Sequence, residues 1–128
     1  MARPKPGNRK TEDILSILGQ MEREKIQRKA TLFFGARTAR DLLYHDQLAA
    51  LEGRLHNFKY IPTLSRPAEK DGWEGERGRV TNLIQKYVRQ DAPVDVYMCG
   101  SPAMIDSCLE ALKQKGIPEE NIFFDKFE

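Results

Sequence analysis

The sequence has 128 residues and a mass of 14.7 kDa, which excludes two full domains because a chain of this length builds a single core. Its composition, 40% hydrophobic and 31% charged, excludes a disordered or fibrous protein. The formal net charge is +2, yet ten of the 21 Lys and Arg residues lie within residues 1–40. Nucleic-acid binders carry a larger basic excess with interleaved aromatics, so we expect no nucleic-acid partner.

The cysteines and the hydropathy pattern exclude several further classes. Cys99 and Cys108 are too few for a disulfide framework, and with His45 and His56 they do not form a zinc-ligand spacing, so no metal site is expected. No apolar run approaches the roughly 18 residues of a membrane span. The basic N-terminus lacks the apolar stretch of a secretory signal. We therefore expect a cytoplasmic protein.

The first predicted elements are an arm, a helix and a strand. Residues 1–10 carry two prolines and four basic residues without apolar periodicity, which predicts a flexible arm. Apolar residues at helical spacing then predict an amphipathic helix over residues 11–27. A short apolar run from Ala30 to Phe34, ended by Gly35, predicts a buried strand.

The middle of the chain alternates again between helix, strand and loop. Thr38 is a candidate N-cap of a second helix, which is interrupted near Tyr44. Phe58–Leu64 is the next predicted strand, and Pro62 within it indicates an edge position or a bulge. The charged, glycine-rich stretch that follows, Ser65–Gly78, predicts a loop.

Two more helices and two more strands complete the chain. Val80–Val88 has helical periodicity, and the Val94–Met98 run predicts a strand. Ser101 is a natural N-cap for a fourth helix that stops at Gly116, and Asn121–Phe124 is the last strand. Strands separated by helices imply parallel pairing. The predicted fold is therefore a three-layer α/β sheet of about four strands, flanked by four helices.

Three polar or glycine-containing segments follow predicted strands. They are Gly35-Ala36-Arg37, Ser65-Arg66 and Cys99-Gly100-Ser101. Ligands of open parallel sheets bind beyond the carboxyl ends of the strands, so these segments can share one crevice. Gly100 would let the backbone approach a ligand closely, and the free N–H groups of the helix after Ser101 would favour an anionic group.

Five segments in this order carry a family resemblance: Leu32–Arg37, Leu64–Pro67, Gly72–Gly78, Tyr97–Pro102 and Asn121–Phe127. They resemble the pyridine-nucleotide half of the ferredoxin:NADP reductase superfamily. The sequence is most similar to bacterial oxygenase-type NADH reductase components and to the F subunit of sodium-translocating NADH:quinone reductase. The resemblance covers residues 11–128 and implies a partial NAD(P)-binding domain. It implies a C-terminal module that passes hydride from NADH or NADPH to a flavin, and on to an iron–sulfur or quinone acceptor. Such a module could lie at the inner face of a membrane complex.

The resemblance also implies site residues. Contacts to NADH or NADPH would come from Gly35, Ala36, Arg37, Ser65, Arg66, Cys99, Gly100, Ser101 and Pro102. Cys99 would lie near the nicotinamide carbon that gives up hydride, without acting as a nucleophile. Arg37 and Arg66 are candidates for the adenosine side, although both could instead be solvated at loop ends. Ser65-Arg66 resembles the pair that NADPH-using members place on the 2′-phosphate, so the choice between NADH and NADPH stays open. Phe127 is a candidate to face the flavin ring, or else caps the sheet edge.

The family's first strand and the Gly-rich turn that carries the pyrophosphate are missing from this sequence. Residues 1–10 hold one glycine and no apolar strand. The resemblance implies a strand order of 3-2-1-4-5, whose centre is that missing strand. The strands Ala30–Phe34 and Val94–Met98 must then pair directly, or leave edges that a second copy of the chain covers.

The flavin-binding barrel and any four-cysteine ferredoxin segment are missing as well. FAD would then come from a missing domain or a partner chain, since no side chain replaces a flavin. The chain is a fragment of a longer reductase, a truncated product or a subunit that borrows the rest, and alone it is not expected to be catalytically competent. The alternative hypothesis is a non-catalytic interaction module or remnant that kept the scaffold. Its anionic partner would meet Arg3, Lys5, Arg9 and Lys10.

Overall fold

The computed structural model describes residues 4–90 and 93–127. The strands are β1 (Gly7–Asn8), β2 (Lys29–Ala36), β3 (Phe58–Leu64), β4 (Glu76–Arg77), β5 (Val94–Gly100) and β6 (Ile122–Lys126). The α-helices are α1 (Thr11–Arg23), α2 (His45–Arg54), α3 (Val80–Tyr87) and α4 (Pro102–Gln114). All neighbouring strands are parallel, in the order β1-β6-β5-β2-β3-β4.

The three-layer α/β architecture is confirmed, whereas the strand count is corrected. The described residues form six strands rather than about four. The two additional strands, β1 and β4, have two residues each and lie at the sheet edges. Two residues cannot carry a period-two hydrophobic pattern, so these strands leave no signal in the sequence.

Helices cover both faces of the sheet. Alternate residues of a strand point to opposite faces, so Leu32 and Phe34 pack with α1 and α2, while Phe33 packs with α3 and α4. Every residue of β5 is buried. This continuous burial is the pattern of a central strand in a parallel sheet.

The strands β2 and β5 pair directly at the centre of the sheet. Their register runs from Lys29 opposite Val94 to Phe34 opposite Cys99. The other edge of β2 pairs with β3, and the other edge of β5 pairs with β6. Of the two expected arrangements, direct pairing of the strands or open edges covered by a second copy, the structure shows direct pairing without a gap.

The N-terminal segment differs from the expected flexible arm of residues 1–10. Its strand β1 pairs with β6, and the Arg9 amide donates to the Phe124 carbonyl at 2.6 Å. An open sheet edge binds a strand through backbone groups alone, so no apolar pattern is needed. Residues 1–3, and with them the proposed contact residue Arg3, lie outside the described residues.

Pro62 lies where the sequence predicts an edge. One side of β3 pairs with β2, where Pro62 lies opposite Phe34. The other side pairs with β4 only at Thr63 and Leu64. The missing N–H of Pro62 therefore leaves no gap in a ladder.

A buried ion pair joins the start of β5 to the segment that leads into β2. Arg28 Nε donates to Asp95 Oδ2, and the Asp95 side chain is only 1% exposed. A charge taken out of water in this way depends on its partner.

Replacing Arg28 with Ala should lower the free energy of unfolding by about 2 to 3 kcal/mol, because the Asp95 carboxylate would stay buried without this partner. Urea denaturation measures the change. Arg54→Ala is the matched control, because it also removes an arginine from an ion pair. The partner of Arg54 is Glu22, and the Arg54 side chain is 56% exposed. Equal losses from the two variants would contradict a special role for the buried pair.

The direct pairing of β2 and β5 also predicts slow amide exchange. Leu32 and Val96 lie in strands that are paired on both sides, so their amides should exchange only on global unfolding. Hydrogen exchange followed by NMR checks this, with the exposed turn residue Leu43 as the fast reference. Fast exchange of both amides in a stable monomer would show that the two strands are not joined.

Candidate functional site: an anion-favouring cleft at the carboxyl edge

A cleft of about 440 Å³ opens at the carboxyl edge of the sheet, on the face covered by α3 and α4. Its lining comes from the ends of β2 and β3 and from the first residues of the two helices. The lining residues are Gly35, Ala36, Arg37, Thr63, Ser65, Gly78, Arg79, Val80, Thr81, Ser101, Ala103, Met104 and Ser107.

The chemistry of this cleft favours an anion. Its lining contains two arginines, Arg37 and Arg79, five hydroxyl side chains and no Asp or Glu. Arg79 and Ser101 are the N-cap residues of α3 and α4, so two helix N-termini border the same space. Both the guanidinium groups and the positive ends of the helix dipoles attract negative charge.

The loops after β2 and β3 are held side by side by their backbones. The Ser65 amide donates to the Ala36 carbonyl at 3.0 Å, and the Arg66 amide donates to the Arg37 carbonyl at 2.8 Å. The structure thus brings together Gly35, Ala36, Arg37, Ser65 and Ser101 of the residues expected from the sequence. The Arg66 side chain is exposed and does not line the cleft.

Gly35, which lines the cleft, and Gly100, which does not, form a cradle against the Met104 side chain. A Cβ atom on either glycine would overlap the Met104 sulfur, and one on Gly100 would also lie 3.5 Å from the Gly35 carbonyl oxygen. The Met104 thioether therefore fills space that exists only because both positions lack a side chain. Pro102, the first residue of α4, is exposed and does not line the cleft.

The Cys99 side chain lies on the opposite face of the sheet. It is fully buried in the cluster with α1 and α2, where Thr11 Oγ1 approaches its sulfur at 3.7 Å. Burial raises the pKa of the Cys99 thiol to about 12. Consecutive strand residues point to opposite faces, so Gly100 borders the cradle and Cys99 does not line the cleft.

The N-terminus of α1 is occupied by a carboxylate of this chain. Both the amide and the hydroxyl of Thr11 donate to Asp125 Oδ2, each at 2.7 Å. Glu12 and Asp13 add negative charge in the same helical turn. In the family that the sequence resembles, the Gly-rich turn before this helix carries the pyrophosphate. The residues present here do not fit a pyrophosphate at α1, whereas the cleft between α3 and α4 does fit a phosphate-bearing ligand.

Phe127 is hydrogen-bonded to the last residue of β5 and packs against the hydrophobic core. Its amide donates to the Gly100 carbonyl at 2.8 Å, and its ring lies 5.6 Å from the Phe34 ring, tilted by 56°. These contacts support the role of an apolar cap at the sheet edge. A flavin-facing role for Phe127 stays a prediction.

Sequence reasoning missed several residues of the cleft, of which Arg79 and Met104 matter most. Arg79 directly follows Gly78, whose φ of 94° turns the chain into α3. The Gly-Arg step before a predicted helix could have drawn attention to it. Nothing in the sequence distinguished Met104 as a site residue. A methionine three residues after an N-cap is as consistent with the buried apolar face of a helix as with a binding site.

A second cleft, of about 470 Å³, lies at the opposite edge of the sheet. It is lined by the first residues of β2, β3 and β5 and by the end of α3. Its lining includes Gln90 and Pro93, and the two residues between them in sequence lie outside the described residues. Open parallel sheets bind ligands at the carboxyl edge, so the first cleft is the candidate site.

Metal-ligating clusters and membrane spans are both absent from the described parts of the chain. Residues 4–90 and 93–127 contain no group of three or more His, Cys, Asp or Glu residues that could hold a metal ion. Over the same residues, no helix is both long enough and apolar enough to cross a membrane.

Solved structures share this fold. The cytochrome P450 reductase GcoB of Amycolatopsis matches with a TM-score of 0.68 and 22% identity, over 89% of this chain and 33% of that chain. The flavohemoglobin of Malassezia yamatoensis also gives a TM-score of 0.68, with 17% identity over 90% of this chain and 28% of that chain. At these identities the matches establish the fold alone.

Sequence comparison places the chain in a family. The F subunit of the Na(+)-translocating NADH-quinone reductase of Serratia proteamaculans is 37% identical over 115 residues, 87% of this chain and 28% of the relative. The propane 2-monooxygenase reductase component of Mycolicibacterium goodii is 35% identical over 89% of this chain and 34% of the relative. The chain thus spans about a third of the length of these relatives, and the resemblance inferred from its motifs is confirmed. Residues 10–110 match the family described as "Oxidoreductase NAD-binding domain", and the chain belongs to that family.

Proposed function

We propose that this chain is the NAD(P)H-binding module of a flavoprotein reductase. Hydride would pass from NADH or NADPH to an FAD held by another domain or chain, and electrons would continue to an iron–sulfur or quinone acceptor. One observation carries the proposal. The cleft at the carboxyl edge of the sheet is lined by two arginines, bordered by two helix N-termini and free of Asp and Glu, and it lies in a domain of an NAD-binding family. The names of the relatives, a component of an NADH-quinone reductase and a monooxygenase reductase component, support the same reaction class.

The residues of the cleft have distinct roles in this proposal. Arg37 and Arg79 hold phosphate oxygens, and the Ser65 hydroxyl donates to the same group or to a ribose. The N–H groups at the start of α4 face a polar part of the ligand. The dinucleotide supplies the hydride, and this chain binds and orients it. The ligand contacts expected of Arg66, Cys99 and Pro102 stay proposals, because none of these residues lines the cleft.

The partner would be a flavin-binding domain or subunit. Support comes from the length of the relatives, of which this chain spans only 28% and 34% in the two cases above. The isolated chain could also self-associate through a sheet edge. The edge strands β1 and β4 have only two residues each, so among the described residues they leave most of the outer edges of β6 and β3 unpaired with another strand. We propose a cytoplasmic location, free or at the inner face of a membrane complex.

A second candidate function, a non-catalytic interaction module, is favoured by one observation. The carboxylate of Asp125 occupies the α1 N-terminus, where related domains would place a pyrophosphate. Lys5, Arg9 and Lys10 lie near this end of the chain and could contact an anionic partner. Dinucleotide binding discriminates between the two functions, because an interaction module has no need of it.

Calorimetry with NADH, NADPH and AMP tests the cleft directly. Arg79→Ala should weaken binding of all three ligands about tenfold, the usual effect of losing one charged hydrogen bond. Arg89→Ala is the matched control, because it removes the same charge at the opposite edge of the sheet. No heat from either dinucleotide at millimolar concentration would reject the function, and equal losses from both variants would reject the site.

The thiol of Cys99 should be unreactive in the folded protein. The thiolate is the reactive form, and a pKa of about 12 leaves a thiolate fraction of about one in ten thousand at pH 8. Cys108, whose thiol pKa burial also raises to about 12, is replaced by Ala so that Cys99 is the sole cysteine. Labelling with iodoacetamide should be slow in the native variant and fast after denaturation. Fast native labelling would mean that Cys99 is accessible, contrary to its position.

A further inference from the structure

The Met104 side chain occupies the space beside two glycines at the ends of adjacent strands. Met104 is the third residue of α4, and its amide donates to the Ser101 hydroxyl at 3.3 Å. This N-cap bond and the helix fix the Met104 backbone. Its side chain, which is only partly buried, is the part that is free to change position.

The cradle beneath this side chain is made by two glycines on adjacent strands. A Cβ atom on Gly100 would lie 2.5 Å from Met104 Cε as well as overlapping the sulfur. A Cβ atom on Gly35 would overlap the same sulfur and lie 3.0 Å from Val80 Cγ2. A methionine side chain is unbranched and has three rotatable bonds, so it can leave such a cradle without backbone movement.

The cleft therefore combines two unlike features. The side chains of Arg37 and Arg79 supply positive charge, while the Met104 thioether fills the glycine cradle. A phosphate-bearing mononucleotide needs only the positive charge. A dinucleotide has a second ring that needs further space, and the cradle is the space that the backbone alone would leave open.

We propose that Met104 is a specificity-determining plug, whose side chain must swing out of the Gly35–Gly100 cradle before the nicotinamide end of a dinucleotide can lie there. The inference rests on the function proposed above and adds a property of its site. Dinucleotide affinity is then lowered by the fraction of molecules whose plug is open, whereas mononucleotide affinity is not. The size of residue 104 thus sets how strongly the cleft prefers a dinucleotide to AMP.

Calorimetry on the full chain with AMP, NADH and NADPH tests the plug. Met104→Ala should raise the ratio of dinucleotide to AMP affinity about tenfold, as expected if the open form is a minor state of about 10%. Leu109→Ala is the matched control, since it truncates a partly buried apolar residue of the same helix outside the cleft, and it should keep the parent ratio. Thermal unfolding shows that each variant is folded.

A ligand-free measurement tests the contact itself. Gly100→Ala should lower the melting temperature of the parent, because its Cβ displaces the thioether, and should have little effect in the Met104→Ala background. Additive effects would overturn the contact. Dinucleotide binding with an unchanged ratio in Met104→Ala would overturn the plug and leave the proposed function standing. Binding of AMP alone by the parent and by every variant would overturn both.

Discussion

The direct pairing of β2 with β5 is the constraint on which the site depends. It places Phe34 opposite Cys99, and the next residues along the two strands are Gly35 and Gly100. With another strand between them, these glycines would be separated by twice the strand spacing of about 4.8 Å. In direct contact, they form a cradle small enough for one side chain, and Met104 of α4 fills it. The same pairing completes the backbone ladders at the centre of the sheet, so the sheet is continuous from β6 to β3.

The Asp125 carboxylate makes the start of α1 unlike the starts of α3 and α4. The first N–H groups of α1, like those of any helix, lack an acceptor within the helix, and Asp125 near the end of β6 supplies one. On the other face of the sheet, the starts of α3 and α4 open toward Arg37 and Arg79, with no acidic residue in the lining. In the proposed function an anionic ligand would bind at the α3 and α4 face, because the Asp125 carboxylate already occupies the start of α1.

The regular elements could be predicted because their signals are local. The strand Phe58–Leu64 has its predicted bounds, and the break before α2 falls at Tyr44, which adopts a left-handed φ of 59°. The site was harder, because it depends on which face each residue takes. The sequence grouped Cys99 with Gly100 as neighbours in a motif, but the alternation of β5 sends their side chains to opposite faces. Arg79 and Met104 reach the cleft only through the packing of α3 and α4 on the sheet, and that packing has no signature within either helix.

The plug also links the stability of the free module to its affinity for ligand. An empty cradle would deprive the strand ends of packing contacts, and the Met104 thioether restores them without a hydrogen bond that a ligand would have to break. Ligand and thioether then compete for one space, so any change that seats the side chain more firmly stabilises the free protein and weakens dinucleotide binding. In the proposed function this competition would favour release of the dinucleotide after hydride transfer, because the closing side chain would fill the space that the departing ring leaves. The two glycines are thus required twice, once by the side chain that fills the cradle and once by the ligand that replaces it.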